Sequence, residues 1–270
     1  MRIDSHIHLF DPVYGEFAWP PRNSDFFRLF SAENYAKELG GEETGAVVVG
    51  CSNEYELNEK LCADASVTPG ILGFIAQFNP ADPGIAEYAE KLAVYPAYRG
   101  FRCDGSGIAE NWSRIRRAIL PGTVLEILGE WQDLWSLRPL LAENPDISFV
   151  IEHFGIYLFD GKPMPEDYLR FCREFAALPN VSMKLSGMYT LCRLRPKTGD
   201  LNLYLDVFRA ALEAFGPERC MYGSDWPVLG VPVRQSDELA EACLKRVTED
   251  PAVHAMVFGE SAKRIYGLKI

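Results

Sequence analysis

The sequence predicts one α/β domain over residues 1–270, folded as a (β/α)8 TIM barrel. The chain has 270 residues, of which 48% are hydrophobic, so a single domain can bury a substantial core. Short β-rich apolar runs alternate with helical patterns from end to end, which implies a parallel sheet. Eight such units favour closure into a barrel. An open, doubly wound sheet is the competing fold, although no Gly-x-Gly-x-x-Gly motif follows an early strand.

Short apolar runs rich in β-branched residues predict the strands. In chain order they are Arg2–Leu9, Ala46–Cys51, Ile71–Phe78, Tyr98–Arg102, Val124–Leu128, Ser148–Glu152, Ser182–Leu185 and Cys220–Tyr222. A helical pattern follows each strand. The predicted helices are Ser31–Leu39, Glu54–Ala65, Ile85–Ala93, Ser113–Leu120, Leu134–Glu143, Pro165–Leu178, Leu201–Phe215 and Asp237–Val247.

Composition and charge narrow the class of protein. The formal net charge of −11 argues against nucleic acid or an anionic membrane surface as a partner. Seven scattered cysteines without a CxxC motif are typical of reduced core residues in a cytosolic protein. The first apolar stretch is short and polar residues interrupt it, and no segment reaches membrane-span length. We therefore expect a cytoplasmic protein that acts on a small molecule, and we leave homo-oligomer formation open.

Three histidines and one aspartate stand at the predicted carboxyl ends of strands. His6 and His8 end the first strand, and side chains two residues apart on a strand lie on the same face. Such a pair can hold one metal ion or one polarised oxygen. His153 follows the sixth strand, and Asp225 follows the eighth. Because barrel active sites form at the carboxyl ends of the strands, we predict that His6, His8, His153 and Asp225 form one.

Five further residues near this rim are candidates for substrate contact: Arg102, Glu126, Tyr189, Arg193 and Trp226. A planar guanidinium at Arg102 would select a carboxylate or carbonyl, but it could instead pair with an acid in the barrel. Glu126 could contact substrate or form a structural pair with Arg102 or Lys184. Trp226 is expected to pack beside Asp225 and narrow the pocket.

A long aromatic connection follows the first strand and spans Phe10–Phe30. A loop of this length and composition is typical of a lid or a binding wall, and the alternative is a loop packed flat against helices. Its aromatic and proline residues are Tyr14, Phe17, Trp19, Pro20, Pro21, Phe26 and Phe27.

Four motifs in order resemble the amidohydrolase superfamily, and most closely its amidohydrolase-2 branch, which contains sugar lactonases and 2-pyrone-4,6-dicarboxylate lactonase. They are Ile-Asp-Ser-His-Ile-His, His-Phe-Gly, Lys-Leu-Ser-Gly and Tyr-Gly-Ser-Asp-Trp-Pro. The ending Gly-Glu-Ser-Ala-Lys-Arg-Ile-Tyr-Gly-Leu is also similar, except that Asn is usual in place of Ser261. The resemblance covers the whole chain. It implies a (β/α)8 barrel hydrolase, with carbohydrate metabolism as its setting.

The resemblance also bears on the cofactor. It implies that His6, His8, His153 and Asp225 are the ligands if a metal is bound. Metal-rich members carry a Lys or Glu after strand four and a His after strand five, whereas this chain has Arg102 and Glu126 in those regions. We therefore expect no binuclear centre. Either one divalent cation is bound, with Zn²⁺ as the first choice, or no cofactor is required, as in parts of the lactonase branch.

Lactone hydrolysis needs a positioned water, a base and positive charge near the carbonyl oxygen. Asp225 is expected to be the base, with burial raising its basicity, and the histidines to polarise the carbonyl. We predict a lactonase that opens a sugar-acid or a carboxylated lactone. A metal-dependent decarboxylase or amide hydrolase is the alternative, and a non-catalytic ligand-binding relative is a third. Arg102 and Arg193 suit a carboxylate, whereas Glu126 and Asp104 suit a polyol.

Overall fold

The computed structural model describes residues 1–14, 20–40 and 44–270. It contains one sheet of eight parallel strands, arranged side by side in chain order. The strands are β1 (Arg2–Ile7), β2 (Thr44–Val49), β3 (Ile71–Gln77), β4 (Tyr98–Asp104), β5 (Val124–Leu128), β6 (Ser148–Ile151), β7 (Val181–Ser186) and β8 (Cys220–Gly223).

Helices alternate with the strands and surround the sheet. Those following β1 to β4 are Ala32–Leu39, Tyr55–Val67, Ile85–Leu92 and Trp112–Ala118. Those following β5 to β8 are Arg138–Glu143, Glu166–Ala176, Leu201–Phe215 and Val233–Val247. The chain then ends in the helix Pro251–Ala255, a π-helical turn Met256–Glu260 and the helix Ser261–Ile265. The predicted order of strands and helices is confirmed.

The sheet closes on itself where β1 meets the chain after β8. The backbone N–H of Asp225 donates to the carbonyl of His6 at 2.9 Å, and the N–H of His8 donates to the carbonyl of Trp226 at 2.7 Å. These two bonds flank a parallel bridge between Ile7 and Trp226. The fold is therefore the predicted barrel, and the open doubly wound sheet is excluded. β1 ends at Ile7 and not at Leu9 as predicted, because its pairing with β2 and with Trp226 stops at Ile7.

One predicted helix is broken. The pattern over Leu134–Glu143 forms a short helix Trp131–Leu134, a 3-10 turn Trp135–Leu137 and the helix Arg138–Glu143. Pro139 lies in the first turn of the last piece, where its missing N–H is tolerated. Inside a continuous helix the same proline would remove a hydrogen bond and clash with the preceding turn. The prediction of one uninterrupted helix was wrong for this reason.

All seven cysteines are free and buried, as predicted. Phe10 and Phe30 close the base of the aromatic loop through two backbone hydrogen bonds of 3.0 and 2.7 Å. Phe17 and Trp19 lie outside the described residues, so the lid remains a prediction.

In the ranges that the structure describes, no helix has the length and apolar character needed to cross a bilayer.

A buried carboxylate, Asp4, fastens the seam from inside. Its Oδ1 accepts the backbone N–H groups of Ser224 at 2.9 Å and His6 at 3.1 Å. Its Oδ2 accepts the hydroxyl of Tyr35 at 2.8 Å. Burial raises the pKa of Asp4 to about 6, although the bonds from Ser224 oppose that rise. Asp4 thus supplies acceptor oxygens to both sides of the seam.

This arrangement predicts how two substitutions of Asp4 differ. Asp4→Ala leaves two backbone N–H groups and one hydroxyl without their acceptor, and we expect a loss of about 2–4 kcal/mol in the free energy of unfolding. Asp4→Asn keeps an oxygen for both N–H groups and should cost less than about 1.5 kcal/mol. Urea denaturation of the two variants measures both values. Equal losses would show that the charge, and not the set of acceptors, holds the seam.

Candidate active site

Three ligand atoms meet in a small buried triangle at the β1–β8 seam. His6 Nε2 lies 3.3 Å from His8 Nε2 and 3.5 Å from Asp225 Oδ1. His8 Nε2 lies 3.4 Å from the same oxygen. All three residues are buried, with exposed fractions of 0%, 5% and 3% for His6, His8 and Asp225. The predicted convergence of these residues is therefore present in the structure.

The local backbone explains this convergence. His6 and His8 are separated by one residue at the end of β1, which puts both rings on one side. Asp225 has a φ of 64°, a left-handed conformation that Asp adopts more readily than most residues. Its N–H is bonded to the carbonyl of His6, so the carboxylate is carried directly to the ring of that residue.

A backbone contact fixes the tautomer of His8. Its Nδ1 lies 2.7 Å from the carbonyl oxygen of Val49. Since a carbonyl can only accept, Nδ1 carries the hydrogen in this bond, and Nε2 presents a lone pair to the triangle when the ring is neutral. A second contact of this kind is typical of histidines that bind metals.

The triangle has the dimensions of a tetrahedral metal site. Nitrogen and oxygen ligands bind Zn²⁺ at about 2.0–2.2 Å, which puts neighbouring ligands about 3.3–3.6 Å apart in a regular tetrahedron. The three measured distances of 3.3, 3.4 and 3.5 Å fall in this range. The donor set of two imidazoles and one carboxylate also suits Zn²⁺. The residues present therefore fit a single divalent cation.

His153 faces the same space from β6. Its ring centroid lies 4.5 Å from that of His6, and its Nδ1 lies 2.7 Å from the hydroxyl oxygen of Ser186 at the end of β7. Together with Glu152 and His6 it forms a second group of three candidate ligands. The four residues predicted for the site are thus brought together, but His153 stands outside the triangle.

A left-handed turn delivers His153. The φ angles of His153, Phe154, Gly155 and Ile156 are 51°, 55°, 67° and 50°. Left-handed backbone costs L-residues other than glycine about 1–2 kcal/mol each, so packing must maintain this turn. Phe154 is fully buried, and the backbone carbonyl of the same residue accepts the hydroxyl of Tyr168 at 3.0 Å. The turn changes the direction of the backbone, so that the consecutive side chains of Glu152 and His153 can face the same site.

Four buried charges lie behind the histidines, inside the barrel. Lys184 Nζ lies 2.7 Å from Glu126 Oε2, 3.8 Å from Glu152 Oε1 and 3.1 Å from His6 Nδ1. Arg102 Nη1 lies 3.2 Å from Glu152 Oε2. Two cations and two carboxylates therefore balance, and three of the four side chains are completely inaccessible. The ammonium group of Lys184 connects this cluster to His6 through its contact with Nδ1.

Glu152 is the site residue that the sequence did not reveal. Adjacent residues on a regular strand point to opposite faces, so Glu152 and His153 were not expected together. The left-handed turn at His153 removes that restriction, and Glu152 Oε2 lies 4.0 Å from His153 Nε2. Glu152 Oε1 is buried without a hydrogen-bond donor, 3.5 Å from His6 Nδ1. The only available signal was an acidic residue directly before a strand-end histidine.

The local electrostatics set the protonation states of these groups. Burial lowers the pKa of His6 well below its ordinary value, helped by Lys184, and burial also lowers the pKa of His153. Burial raises the pKa of Asp225, but His153 and His8 outweigh it, and the net pKa lies below the ordinary value. The expectation that burial would raise the basicity of Asp225 was wrong because the neighbouring imidazoles stabilise the carboxylate.

The remaining predicted residues take different positions. Arg102 lies at the site and is bonded to Glu152, whereas Glu126 is buried below it and accepts from Lys184 and from the hydroxyl of Tyr266 at 2.6 Å. Burial raises the pKa of Glu126, and the Lys184 ammonium 2.7 Å from its Oε2 opposes that rise. Lys184 thus supplies one of the structural pairings considered for Glu126.

The aromatic and rim candidates also have defined surroundings. Trp226 is 1% exposed and packs edge-on against Phe30 and Tyr35, with ring centroids 5.4 Å apart in both cases. Tyr189 is buried beside Tyr204, at 6.2 Å between ring centroids. Arg193 is exposed. Contact of Trp226, Tyr189 and Arg193 with substrate remains a prediction.

The balanced charges predict a large effect of Glu152→Gln on stability. The substitution keeps the shape but leaves two buried cations with one carboxylate, so we expect the free energy of unfolding to fall by about 3–5 kcal/mol. The matched control is Glu174→Gln, which breaks a surface pair with Arg138 at 2.9 Å. That control should cost less than about 1 kcal/mol. Chemical denaturation compares the variants, and similar losses for both would contradict the proposed charge balance.

The chain is similar to known proteins along nearly its whole length. A family model described as "Amidohydrolase" matches residues 3–268. The chain is 26% identical to an L-fucono-1,5-lactonase of Burkholderia ambifaria over 281 residues, covering 98% of this chain and 95% of that protein.

Two solved structures share the fold. An amidohydrolase from Burkholderia multivorans with bound zinc has a TM-score of 0.85 and 24% identity, covering 100% of both chains. A probable 2-pyrone-4,6-dicarboxylic acid hydrolase from Acinetobacter baumannii, with citric acid bound, has a TM-score of 0.76 and 18% identity. That match covers 98% of this chain and 99% of the other. At these identities the likeness establishes the barrel alone.

Proposed function

We propose that this chain, which belongs to the amidohydrolase family, is a hydrolase that opens the ring of a sugar lactone with water. The observation that carries the proposal is the buried triangle of His6 Nε2, His8 Nε2 and Asp225 Oδ1, which joins two imidazoles to a carboxylate at the barrel rim. The full-length similarity to a protein named as a sugar lactonase supports the choice of substrate.

His6, His8 and Asp225 would hold one divalent cation, with zinc as the first choice. When bound, this ion supplies Lewis acidity toward the lactone carbonyl. The alternative group of His6, Glu152 and His153 suits a second cation poorly, because the Lys184 ammonium lies 3.1 Å from His6 Nδ1. We therefore propose one ion and keep the predicted absence of a binuclear centre as part of the proposal.

Glu152 would orient His6 for this role. A histidine that offers Nε2 as a ligand carries its hydrogen on Nδ1, and that hydrogen needs an acceptor. Glu152 Oε1 lies 3.5 Å from His6 Nδ1 and has no donor of its own. Lys184 can donate to the same Nδ1 only when that nitrogen carries no hydrogen. The buried carboxylate and ammonium thus favour opposite tautomers of His6.

Asp225 would move the protons. The carboxylate takes a proton from water while the water oxygen bonds to the lactone carbonyl carbon. The ring C–O bond then breaks, and Asp225 returns the proton to the departing alkoxide oxygen, so that the product is the open hydroxy acid. Its lowered pKa keeps Asp225 ionised at neutral pH but makes it a weak base. A strained or electron-poor ester, such as a lactone, suits a weak base better than an amide does.

His153 would stabilise the oxyanion. Its pKa is lowered, so the ring is neutral near pH 7, and the contact with Ser186 at Nδ1 fixes its orientation. The ring lies beside that of His6, with centroids 4.5 Å apart, and its Nε2 lies 4.0 Å from Glu152 Oε2. A well-placed donor to a developing oxyanion contributes about 10²–10³ in kcat. Decarboxylation, the alternative reaction, gains no support from the cations at the site, because Arg102 and Lys184 are already paired with carboxylates.

Asp225→Asn tests the proton transfer. The amide cannot accept a proton from water, so we expect kcat to fall by about 10³-fold while the protein remains folded. The measurement is acid release from a panel of sugar lactones at neutral pH, with circular dichroism to verify folding. Asp133→Asn, an exposed aspartate, serves as the matched control and should retain full activity. Activity of Asp225→Asn within tenfold of the wild type would rule out Asp225 as the base.

Metal binding has its own test, which does not depend on activity. Purified protein should contain about one equivalent of zinc per chain by mass spectrometry after dialysis, and His8→Ala should contain far less. Added zinc should raise the Tm of the chelated wild type by several degrees and leave His8→Ala unchanged, because a ligand stabilises only a protein that binds it. A wild type that hydrolyses lactones at full rate with no metal would overturn the metal assignment and leave the hydrolase proposal standing.

A further inference from the structure

A cavity of about 540 Å³ opens at the carboxyl ends of β3 and β4, beside the candidate active site. Gln77, the last residue of β3, and Arg102 in β4 form part of its wall. Arg102 also bonds to Glu152, the residue before His153, so one side chain contacts both the cavity and the site. Cavities of about 300–1,000 Å³ are typical of small-molecule sites.

The lining of this cavity is rich in groups that bind hydroxyls. Amides both donate and accept hydrogen bonds, and carboxylates accept them, so together they match a chain of alcohols. The polar lining residues include Asn53, Gln77, Asn79, Asp104, Glu110 and Asn111.

The orientation of Gln77 is fixed by Arg102. Arg102 Nε and Nη2 lie 3.1 and 2.8 Å from Gln77 Oε1, and a guanidinium can only donate, so the oxygen must face Arg102. The amide nitrogen of Gln77 then points to Asn53, whose Oδ1 lies 3.3 Å away. Arg102, Gln77 and Asn53 thus form one hydrogen-bonded row along the cavity wall.

The surrounding loops are also held in place. Arg114 Nη1 donates to the carbonyl of Ala81 at 2.8 Å and to Asn111 Oδ1 at 2.9 Å, which ties the loop after β3 to the loop after β4. Gly107 approaches Pro80 so closely that an added Cβ would lie 2.4 Å from the proline ring. The cavity is therefore preformed, and binding need not order its walls first.

The charges at the cavity disfavour an anionic ligand. Arg102, the cation in its lining, is already paired with Glu152 at 3.2 Å, and Arg114 beside it donates to the carbonyl of Ala81 and to Asn111. Asp104 and Glu110 are exposed carboxylates, and within the described ranges neither has an ion-pair partner. A carboxylate on the ligand would meet like charges here, whereas an alcohol would meet acceptors.

We propose that this cavity, the hydroxyl pocket, receives the hydroxylated end of the lactone and selects neutral sugar lactones over carboxylated ones. The inference rests on the proposed lactone hydrolysis and specifies its substrate class. Gln77 and Asn53 contact the hydroxyl chain. Asp104 and Glu110 accept from its hydroxyls and repel a terminal carboxylate.

The test compares matched substrates. D-Glucono-1,4-lactone and D-glucaro-1,4-lactone share a ring and differ in a terminal CH₂OH or carboxylate, and the galacto-configured pair is used in parallel. The ratio of kcat/KM, neutral over carboxylated, is measured at low salt for the wild type and for Asp104→Asn combined with Glu110→Gln. We expect the ratio to fall about three- to tenfold in this variant, because like charges at about 4 Å in water change an equilibrium about fivefold. The change should disappear at high salt.

The control variant combines Glu143→Gln and Glu249→Gln. Both residues are exposed at the ends of helices that return to the amino-terminal face of the barrel, so the net charge changes equally far from the pocket. An unchanged ratio in the pocket variant, or an equal change in the control, overturns the proposal.

Binding of the corresponding lactams, measured by calorimetry, separates the two hypotheses. A lactam keeps the ring but resists hydrolysis. If lactams show the charge-dependent ratio and no lactone is hydrolysed, the hydroxyl pocket stands and the proposed function fails. If lactones are hydrolysed with a ratio that the pocket variant leaves unchanged, the pocket alone fails. If no lactone is hydrolysed and no lactam binds, both are overturned.

Discussion

The seam between β1 and the end of β8 is the constraint on which the site depends. Two backbone hydrogen bonds there join His6 to Asp225 and His8 to Trp226. The same bonds that close the barrel therefore bring the carboxylate to the two imidazoles. Asp4 strengthens this junction by accepting from both sides, at His6 and at Ser224. Barrel closure and site assembly are in this sense one event.

The charge cluster behind the seam gives the site its electrostatic character. Arg102, Lys184, Glu126 and Glu152 are mutually compensated, so the interior carries charge without a net field from an unpaired group. Such an arrangement is costly to break and contributes little by itself to stability. Its proposed value is orientational, because Lys184 and Glu152 both reach His6 Nδ1. Both contacts hold the ring in place, and Glu152 favours the tautomer whose Nε2 can bind a metal.

Local rules accounted for the barrel and for the core of the site. Alternation of strand and helix patterns fixed the fold, and the two-residue spacing of His6 and His8 put them on one face. Asp225 was found because it follows the last strand. These inferences needed only the regular geometry of strands and the fact that the carboxyl ends of all strands lie on one face of a barrel.

Features that depend on irregular backbone or on distant contacts could not be read in this way. The left-handed turn from His153 to Ile156 contains only one glycine, so its sequence did not indicate positive φ angles. That turn is what brings Glu152 into the site. The bond between Arg102 and Gln77 joins two strands and spans 25 residues of sequence. The Arg102 guanidinium therefore already has acceptors within the protein, Gln77 and Glu152, and only the three-dimensional structure shows this.

X-ray absorption at the zinc edge of the loaded protein tests the central claim most directly. We predict a first shell with two imidazoles at about 2.0–2.1 Å, from His6 and His8, and one carboxylate oxygen from Asp225. In His8→Ala the shell should lose one imidazole, and in His153→Ala it should remain unchanged. A shell with three imidazoles, or one that changes when His153 is removed, would contradict the assignment of the triangle as the metal site.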